Sequence, residues 1–389
     1  MGIISAIGET VLENLESLLK SESGITELSL IDTIHSENIK VGEIKISNHA
    51  LAKKLELPQN HNYTRTALLG AMAAKEAFES ARIKDADNFK TGLINASTVG
   101  GMDKTELHFK EFTSKPETQK YISSHIIGDS TQKIADELNI TGFTTSISTA
   151  CSSAANAIML GARMIKAGKL DRVVVGGVDS LSKFTINGFK TLMILSDENC
   201  TPFDANRKGL NLGEAAAFLV LESNEIVAKE NRKVLAYVSG YGNANDAFHQ
   251  TASSENGEGA FLAMENALQV SGLKPQEIDY INAHGTATQN NDLSESVALK
   301  RVFGTNLPPF SSTKGFTGHT LAAAGSVEAV FSILALQENV IFPNLGFEKA
   351  MPETGLIPET KLQKKELKHI LSNSFGFGGN CTSLIFSKG

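Results

Sequence analysis

The chain has 389 residues, 41% of them hydrophobic and 20% charged, which suits a globular protein with a sizeable core and excludes a disordered or fibrous one. A net charge of −7 argues against a nucleic-acid binder, which needs a broad basic face, and obliges any acidic partner to find a local basic patch. No unbroken run reaches the ~18 apolar residues of a membrane span. The start, Met1-Gly2-Ile3-Ile4-Ser5-Ala6, lacks the basic flank of a signal peptide, and Ala6 breaks the myristoylation pattern, so a cytoplasmic protein without membrane contact is expected. Cys151, Cys200 and Cys381 are an odd set with no CxxC spacing, which suggests neither a disulfide framework nor a metal site.

Taken in order, Gly2 to Gly8 reads as a short buried strand, and Glu9 to Lys20 as a helix whose Val11, Leu12, Leu15, Leu18 and Leu19 mark one face. Ser21 to Asn62 is polar and irregular. Tyr63 to Ala81 is a strong Ala-rich helix expected to be interior, and Thr91 to Ala96 a strand leading to a turn at Gly100-Gly101. A helix and loop over Met102 to Lys120, a helix over Ile126 to Leu138 and a strand over Phe143 to Ser148 follow. Cys151 then stands at the turn into a helix carrying Ala154, Ala155, Ile158, Met159, Ala162 and Ile165, with Gly168 as the stop. Val173 to Val178 reads as a strand buried on both faces, Ser182 to Leu195 as a loop with a short helix, and Ala215 to Leu221 as a strand. Beyond a charged bridge, Glu222 to Lys233, strands are expected at Val234 to Tyr241, Tyr280 to Ala283, Phe310 to Thr313 and Leu384 to Phe386. Helices are expected at Gly259 to Ser271, Leu293 to Phe303 and Thr320 to Gln337. The element order repeats, which predicts an α/β fold made of two similar halves, 1–229 and 230–389.

Four stretches carry chemistry. A thiol at a helix N-terminus meets unpaired N–H groups and a dipole that favour the thiolate, and the small residues of Thr149-Ala150-Cys151-Ser152-Ser153 leave room for a substrate; a lone buried Cys is otherwise a small hydrophobe. His284 and His319 each follow an apolar run among Gly and Thr, where strand ends of an α/β sheet bind ligands. Alone each is an ordinary surface or core histidine; with Cys151 they can hold an acyl thioester and donate to a developing oxyanion or enolate. Lys314 and Glu328 form either a surface ion pair or a buried one that fixes the His319 loop. The glycines of Asn373-Ser374-Phe375-Gly376-Phe377-Gly378-Gly379-Asn380 let the backbone aim an N–H into a cavity; a phosphate loop is the weaker alternative, since no Lys-Ser/Thr follows.

Thr149 to Ser153, His284-Gly285-Thr286 with Asp292, Lys314 through Gly318-His319, and Asn373 through Gly379 together resemble the signatures of the β-ketoacyl-acyl-carrier-protein synthases, in the family's order and across essentially the whole chain. The resemblance implies a thiolase-like fold, two duplicated halves in a layered αβαβα arrangement. It implies an acyltransferase that performs a decarboxylative condensation, in fatty-acid or specialised polyene or polyketide synthesis. Cys151 would carry the acyl chain, His284 and His319 would assist decarboxylation of a malonyl thioester, and Lys314 with Glu328 would hold the site. The backbone N–H groups of Cys151 and Phe377 would form the oxyanion hole. Phe189 would match the gating phenylalanine, Phe375, Gly376 and Gly378 would line the pocket, and Thr286 and Asp292 would support it. No cofactor is implied, because acyl and malonyl groups arrive on the phosphopantetheine of acyl carrier protein. Lys120 and Lys190 are the candidate docking residues for that acidic partner. A homodimer is implied, or a heterodimer with a chain-length-factor-like homologue. Two rivals stand beside this reading: a non-decarboxylating thiolase-type acyltransferase, which would want a second cysteine as base, and the chain-length partner itself, which typically lacks the nucleophile. The chain departs from the family pattern at Gln289-Asn290-Asn291 and at Asn380-Cys381, which bears on substrate identity more than on reaction type.

Overall fold

Two mixed five-stranded sheets organise the chain, seen in a computed structural model that describes residues 1–389 apart from Asp87. The first sheet contains β1 (Gly2–Ile4), β2 (Thr91–Ala96), β3 (Thr144–Ile147), β4 (Arg172–Asp179) and β5 (Ala215–Glu222). The second contains β6 (Ala236–Asn245), β7 (Tyr280–Asn282), β8 (Phe310–Ser311), β9 (His369–Phe375) and β10 (Asn380–Lys388). Across the first sheet the order is β3-β2-β4-β5-β1, and across the second β8-β7-β9-β10-β6. Counted within each set, both read third, second, fourth, fifth, first. In both, the first two pairings are parallel and the last two antiparallel. The repeat expected from element order is therefore a repeat of topology and strand direction.

Between the sheets lie the helices Ser153–Lys166 and Ala324–Glu338, which pack on each other and on strands of both sheets. Their alanines permit this close sandwich, and every residue from Ala324 to Leu336 is buried. Helices Arg65–Ser80 and Ile127–Glu137 cover the outer face of the first sheet, and Glu258–Ser271 with Gln289–Phe303 that of the second, completing five layers, αβαβα. Leu321–Glu338 has the length and mean hydropathy (1.3) of a membrane span, although no unbroken apolar run is present, and 89% of it is buried as the core helix.

Three sequence expectations need correction. In the first helix, Val11–Lys20, Leu12 and Leu19 face solvent at 64% and 37% exposure, and Leu18 is the apolar residue that is buried. Inside the stretch read as irregular, Ser47 caps a short helix, Asn48–Lys54. The whole of β9 was unreadable, because its interior Ser372-Asn373-Ser374 is polar yet buried. Asn373 donates to Glu295 at 3.1 Å and accepts from Ser383 at 2.8 Å, so hydrogen bonds replace the apolar pattern.

One buried ion pair fixes the first sheet to the segment around Gly42. Arg65 donates from Nε and Nη2 to Glu214 at 2.8 and 2.6 Å, and Nη2 also reaches the Ile44 carbonyl. Glu214 further accepts the N–H groups of Ile44 and Leu181, while the neighbouring Gly213 N–H donates to the His319 carbonyl at 2.9 Å. Removing one partner of such a pair strands the other charge. Glu214→Gln should therefore cost about 3 kcal/mol or more in urea unfolding, and a loss below about 1 kcal/mol would show that the pair is dispensable.

Candidate active site

The site forms where strand ends of both sheets meet. Downstream of β3 the chain turns sharply, with Ala150 in the left-handed region (φ +53°), and the central helix begins at Ser153 without a side-chain cap from Ser152. That turn presents Cys151, 6% exposed, to His319 from the second half: Sγ and Nε2 are 2.9 Å apart. The His284 ring stands edge-on to His319 with centroids 5.4 Å apart. His284 follows β7, and Glu295 anchors it by accepting its N–H at 2.9 Å and that of Gly285 at 2.8 Å.

Lys314 is buried and resolves the choice left open by the sequence: its partner Glu328 is buried too, and Nζ bonds to Oε1. Nζ also donates to the His284 carbonyl at 2.6 Å and lies 3.3 Å from His284 Nδ1. An ammonium has only donors, so Nδ1 is the acceptor and the His284 proton resides on Nε2. Ser374, from β9, adds a hydrogen bond to Glu328 at 3.4 Å.

The glycine turn after β9 completes the cradle. A Cβ on Gly376 would come within 2.7 Å of the Thr149 carbonyl, so only glycine lets this strand approach the Cys151 turn. Phe377 directs its backbone N–H to the Cys151 sulfur, and the left-handed Gly378 (φ +81°) donates its own to the Gln250 carbonyl at 2.7 Å. The Phe377 ring stacks on Phe189 with centroids 6.1 Å apart.

Cys151 and Phe377 line two cavities. One, of about 380 Å³, is almost wholly apolar and is bounded by Thr98, Val99, Met102, Phe189 and Leu321. The other, of about 290 Å³, holds His284, His319, Thr286, Phe375, Gly376 and Gly378, with Lys208 and the Gln289-Asn290-Asn291 segment among its walls. Asp292 lines neither; its carboxylate accepts the N–H groups of Phe203 and Ala287 and thereby holds the loop after His284. Lys120 and Lys190 also lie outside both cavities.

Electrostatics modify one expectation. Burial pushes the Cys151 thiol up to about 12, and Lys314 and the Phe377 N–H only partly oppose it. Burial, then the charge of Lys314, lowers both His284 and His319 well below the ordinary histidine value. The resting pair is thus a neutral thiol against a neutral imidazole, because desolvation outweighs the helix terminus that suggested a standing thiolate. Glu328 rises to about 7 through burial, with Lys314 pulling it back.

Residue types at sequence distance hid several participants. Glu295 sits mid-helix with no motif around it, and Asn380 binds Ser152 Oγ at 2.7 Å and Asn156 Nδ2 at 2.8 Å, joining the halves behind Cys151. Cys381 lines the second cavity, which its position beside a glycine run alone did not disclose. Among the described residues, no group of three or more His, Cys, Asp or Glu side chains is arranged to hold a metal ion.

Family models for the N-terminal and C-terminal domains of β-ketoacyl synthase match residues 1–226 and 235–348. The chain is 32% identical over 402 residues to a 3-oxoacyl-[acyl-carrier-protein] synthase 2 from Staphylococcus aureus (strain N315), covering 100% of this chain and 97% of that relative. It superposes on the ishigamide ketosynthase/chain length factor with a TM-score of 0.92 at 26% identity, covering 100% and 97% of the two chains. With the ketosynthase ApeO in complex with its chain length factor ApeC, from Xenorhabdus doucetiae, the TM-score is 0.87 at 32% identity, covering 100% and 96%. Two sheets of one topology closing on a Cys–His–His centre, and sequence likeness along the full length, place this chain in the β-ketoacyl synthase family of condensing enzymes.

Proposed function

We propose that the chain joins an acyl group held on Cys151 to a malonyl thioester with loss of carbon dioxide. The observation that carries this reading is the position of Cys151 between an apolar cavity and a second one containing both imidazoles. The thiol attacks a carrier-bound acyl thioester and its proton passes to the departing carrier sulfur, while His319 keeps its own proton on Nε2 and donates a hydrogen bond through it to the Cys151 sulfur. The acyl chain then lies in the apolar cavity, behind the Phe189–Phe377 stack that gates it.

Malonyl thioester enters the second cavity. Loss of carbon dioxide puts negative charge on its thioester oxygen, where Nε2–H of His284 and of His319 donate. The enolate carbon attacks the acyl carbonyl, whose oxygen becomes an oxyanion bound by the N–H groups of Cys151 and Phe377. That attack forms the carbon–carbon bond; collapse of the oxyanion then breaks the bond to the Cys151 sulfur, which takes up from solvent the one proton that the overall reaction consumes. Neutral imidazoles suit this step, since they donate without drawing a proton onto the reacting carbon. No cofactor takes part in this scheme. A thiolase-type reaction is disfavoured because His319 stands against Cys151 with His284 beside it, whereas Cys381, which lines the same cavity, has its thiol raised by burial and by Asp246 and Glu295 and is ill suited to supply a thiolate base; a chain-length partner role is disfavoured because the nucleophile is present.

The acyl and malonyl groups would arrive on a carrier protein in the cytoplasm, where the three free cysteines would stay reduced. For docking we favour the face around Lys120. Its Nζ and that of Lys104 stand 5.2 and 5.3 Å from the Tyr121 ring centroid, a local basic patch on an acidic chain. Lys190, half-buried beside the gate, is the second docking residue. The half-exposed edge strand β3, with Phe143 exposed next to it, suits pairing with a second chain of this fold, either a copy or a chain-length-factor-like homologue.

Two outcomes are expected. Incubated with acyl carrier thioester, the wild type should gain the acyl mass on Cys151 and, on adding malonyl carrier protein, release product and carbon dioxide in equal amounts. Cys151→Ala should stay folded, gain no mass and lose condensation by on the order of a thousandfold or more; product from that variant would overturn the assignment. Lys120→Glu should raise KM for carrier-bound substrate about threefold to tenfold. The effect should shrink at high salt while a small thioester mimic is unaffected, and equal damage to both substrates would remove Lys120 from docking.

A further inference from the structure

Asp179, the last residue of β4, is fully buried and takes no part in the chemistry described above. Its Oδ1 accepts from Ser97 Oγ at 2.7 Å, Thr98 N–H at 2.9 Å and Val99 N–H at 3.0 Å. Its Oδ2 accepts from the Thr98 hydroxyl and from Ala322 N–H at 2.9 Å. Thr98 and Val99 wall the apolar cavity from one side, and Leu321 walls it from another. Leu321 is held in the left-handed region (φ +53°), which a branched side chain adopts only when its surroundings impose it. The bond to the next residue, Ala322, is one such restraint. One carboxylate thus ties together two separate stretches of cavity wall, one from each half of the chain, without touching the cavity itself.

We propose that Asp179 is a positioning residue that sets the chain-length selectivity of condensation by fixing Thr98, Val99 and Leu321 against the acyl chain. This rests on the reading that the apolar cavity receives the chain carried by Cys151. Both carboxylate oxygens face backbone N–H groups, Thr98 and Val99 on one side and Ala322 on the other. An amide in either flip therefore turns its NH2 onto a donor and frees one wall.

The test is a profile of Cys151 acylation rates for straight-chain acyl groups of increasing length on carrier protein, read by intact mass. In wild type the best and worst lengths differ. Asp179→Asn should shrink that spread about tenfold. Ser97→Ala removes one bond to Asp179 and the bond that Ser97 Oγ accepts from Gly100 N–H at 3.1 Å, leaves every residue that lines the cavity in place, and should shrink the spread about threefold. It decides the matter if the first variant does not fold. A folded variant with the wild-type profile, or with equal loss at every length, would overturn the proposal while leaving the condensing reaction intact. Absence of acylation in the wild type would instead overturn the underlying reading, and the proposal with it.

Discussion

A buried ammonium is the constraint on which the site depends. Lys314 lies away from water, where an isolated charge is costly, and it is kept there by Glu328, by the His284 carbonyl and by His284 Nδ1. Each of those bonds has a chemical consequence. The contact with Nδ1 places the His284 proton on Nε2, facing the cavity. The positive charge adds to burial in keeping both imidazoles neutral, and it draws the Cys151 thiol partway back from the value burial alone would give. Removing the cation would release all three effects together, which is why a position that looks merely structural bears on the Cys151 thiol and both imidazoles alike.

The duplicated topology explains how such a centre is assembled from distant residues. Each half ends its parallel strands at the middle of the molecule, so the turn bearing Cys151 and the loops bearing His284 and Lys314 open onto one place. The central helices Ser153–Lys166 and Ala324–Glu338 set the spacing, and the second of them carries Glu328. Polar residues then lock the halves: Asn380 to Ser152 and Asn156, Gly213 to His319, Asp179 to Ala322. A dry, close-packed junction raises the strength of each of these interactions and equally the cost of leaving any unsatisfied. His319 Nδ1 is one buried atom that no protein group satisfies.

Much of this is legible in the sequence. Apolar runs such as Val173 to Val178 and Ala-rich helices such as Tyr63 to Ala81 announce buried elements, because their burial is what their composition encodes. Cys151, His284, His319 and the glycine turn stood out because each sits among small residues where packing alone would not leave space. What stayed hidden obeys other physics. Strand β9 is stabilised by buried hydrogen bonds rather than by alternating apolar residues, so periodicity missed it. Glu295, Asn380 and Asp179 act on backbone groups far away in sequence, and no local pattern marks such a partner. The state of Cys151 was misjudged because the helix terminus is visible in sequence while the depth of burial is not.

The central claim is that Lys314 and burial hold two neutral imidazoles beside Cys151, with the His284 proton on Nε2. Nitrogen-15 NMR of the histidine-labelled resting enzyme, followed from about pH 8 to about pH 5, tests it directly. The structure predicts that His284 and His319 are still neutral where an ordinary histidine takes up its proton, since burial and the charge of Lys314 lower both, and that Nε2 of His284 is the protonated nitrogen. An imidazolium at either position near pH 7, or a His284 proton on Nδ1, would contradict it.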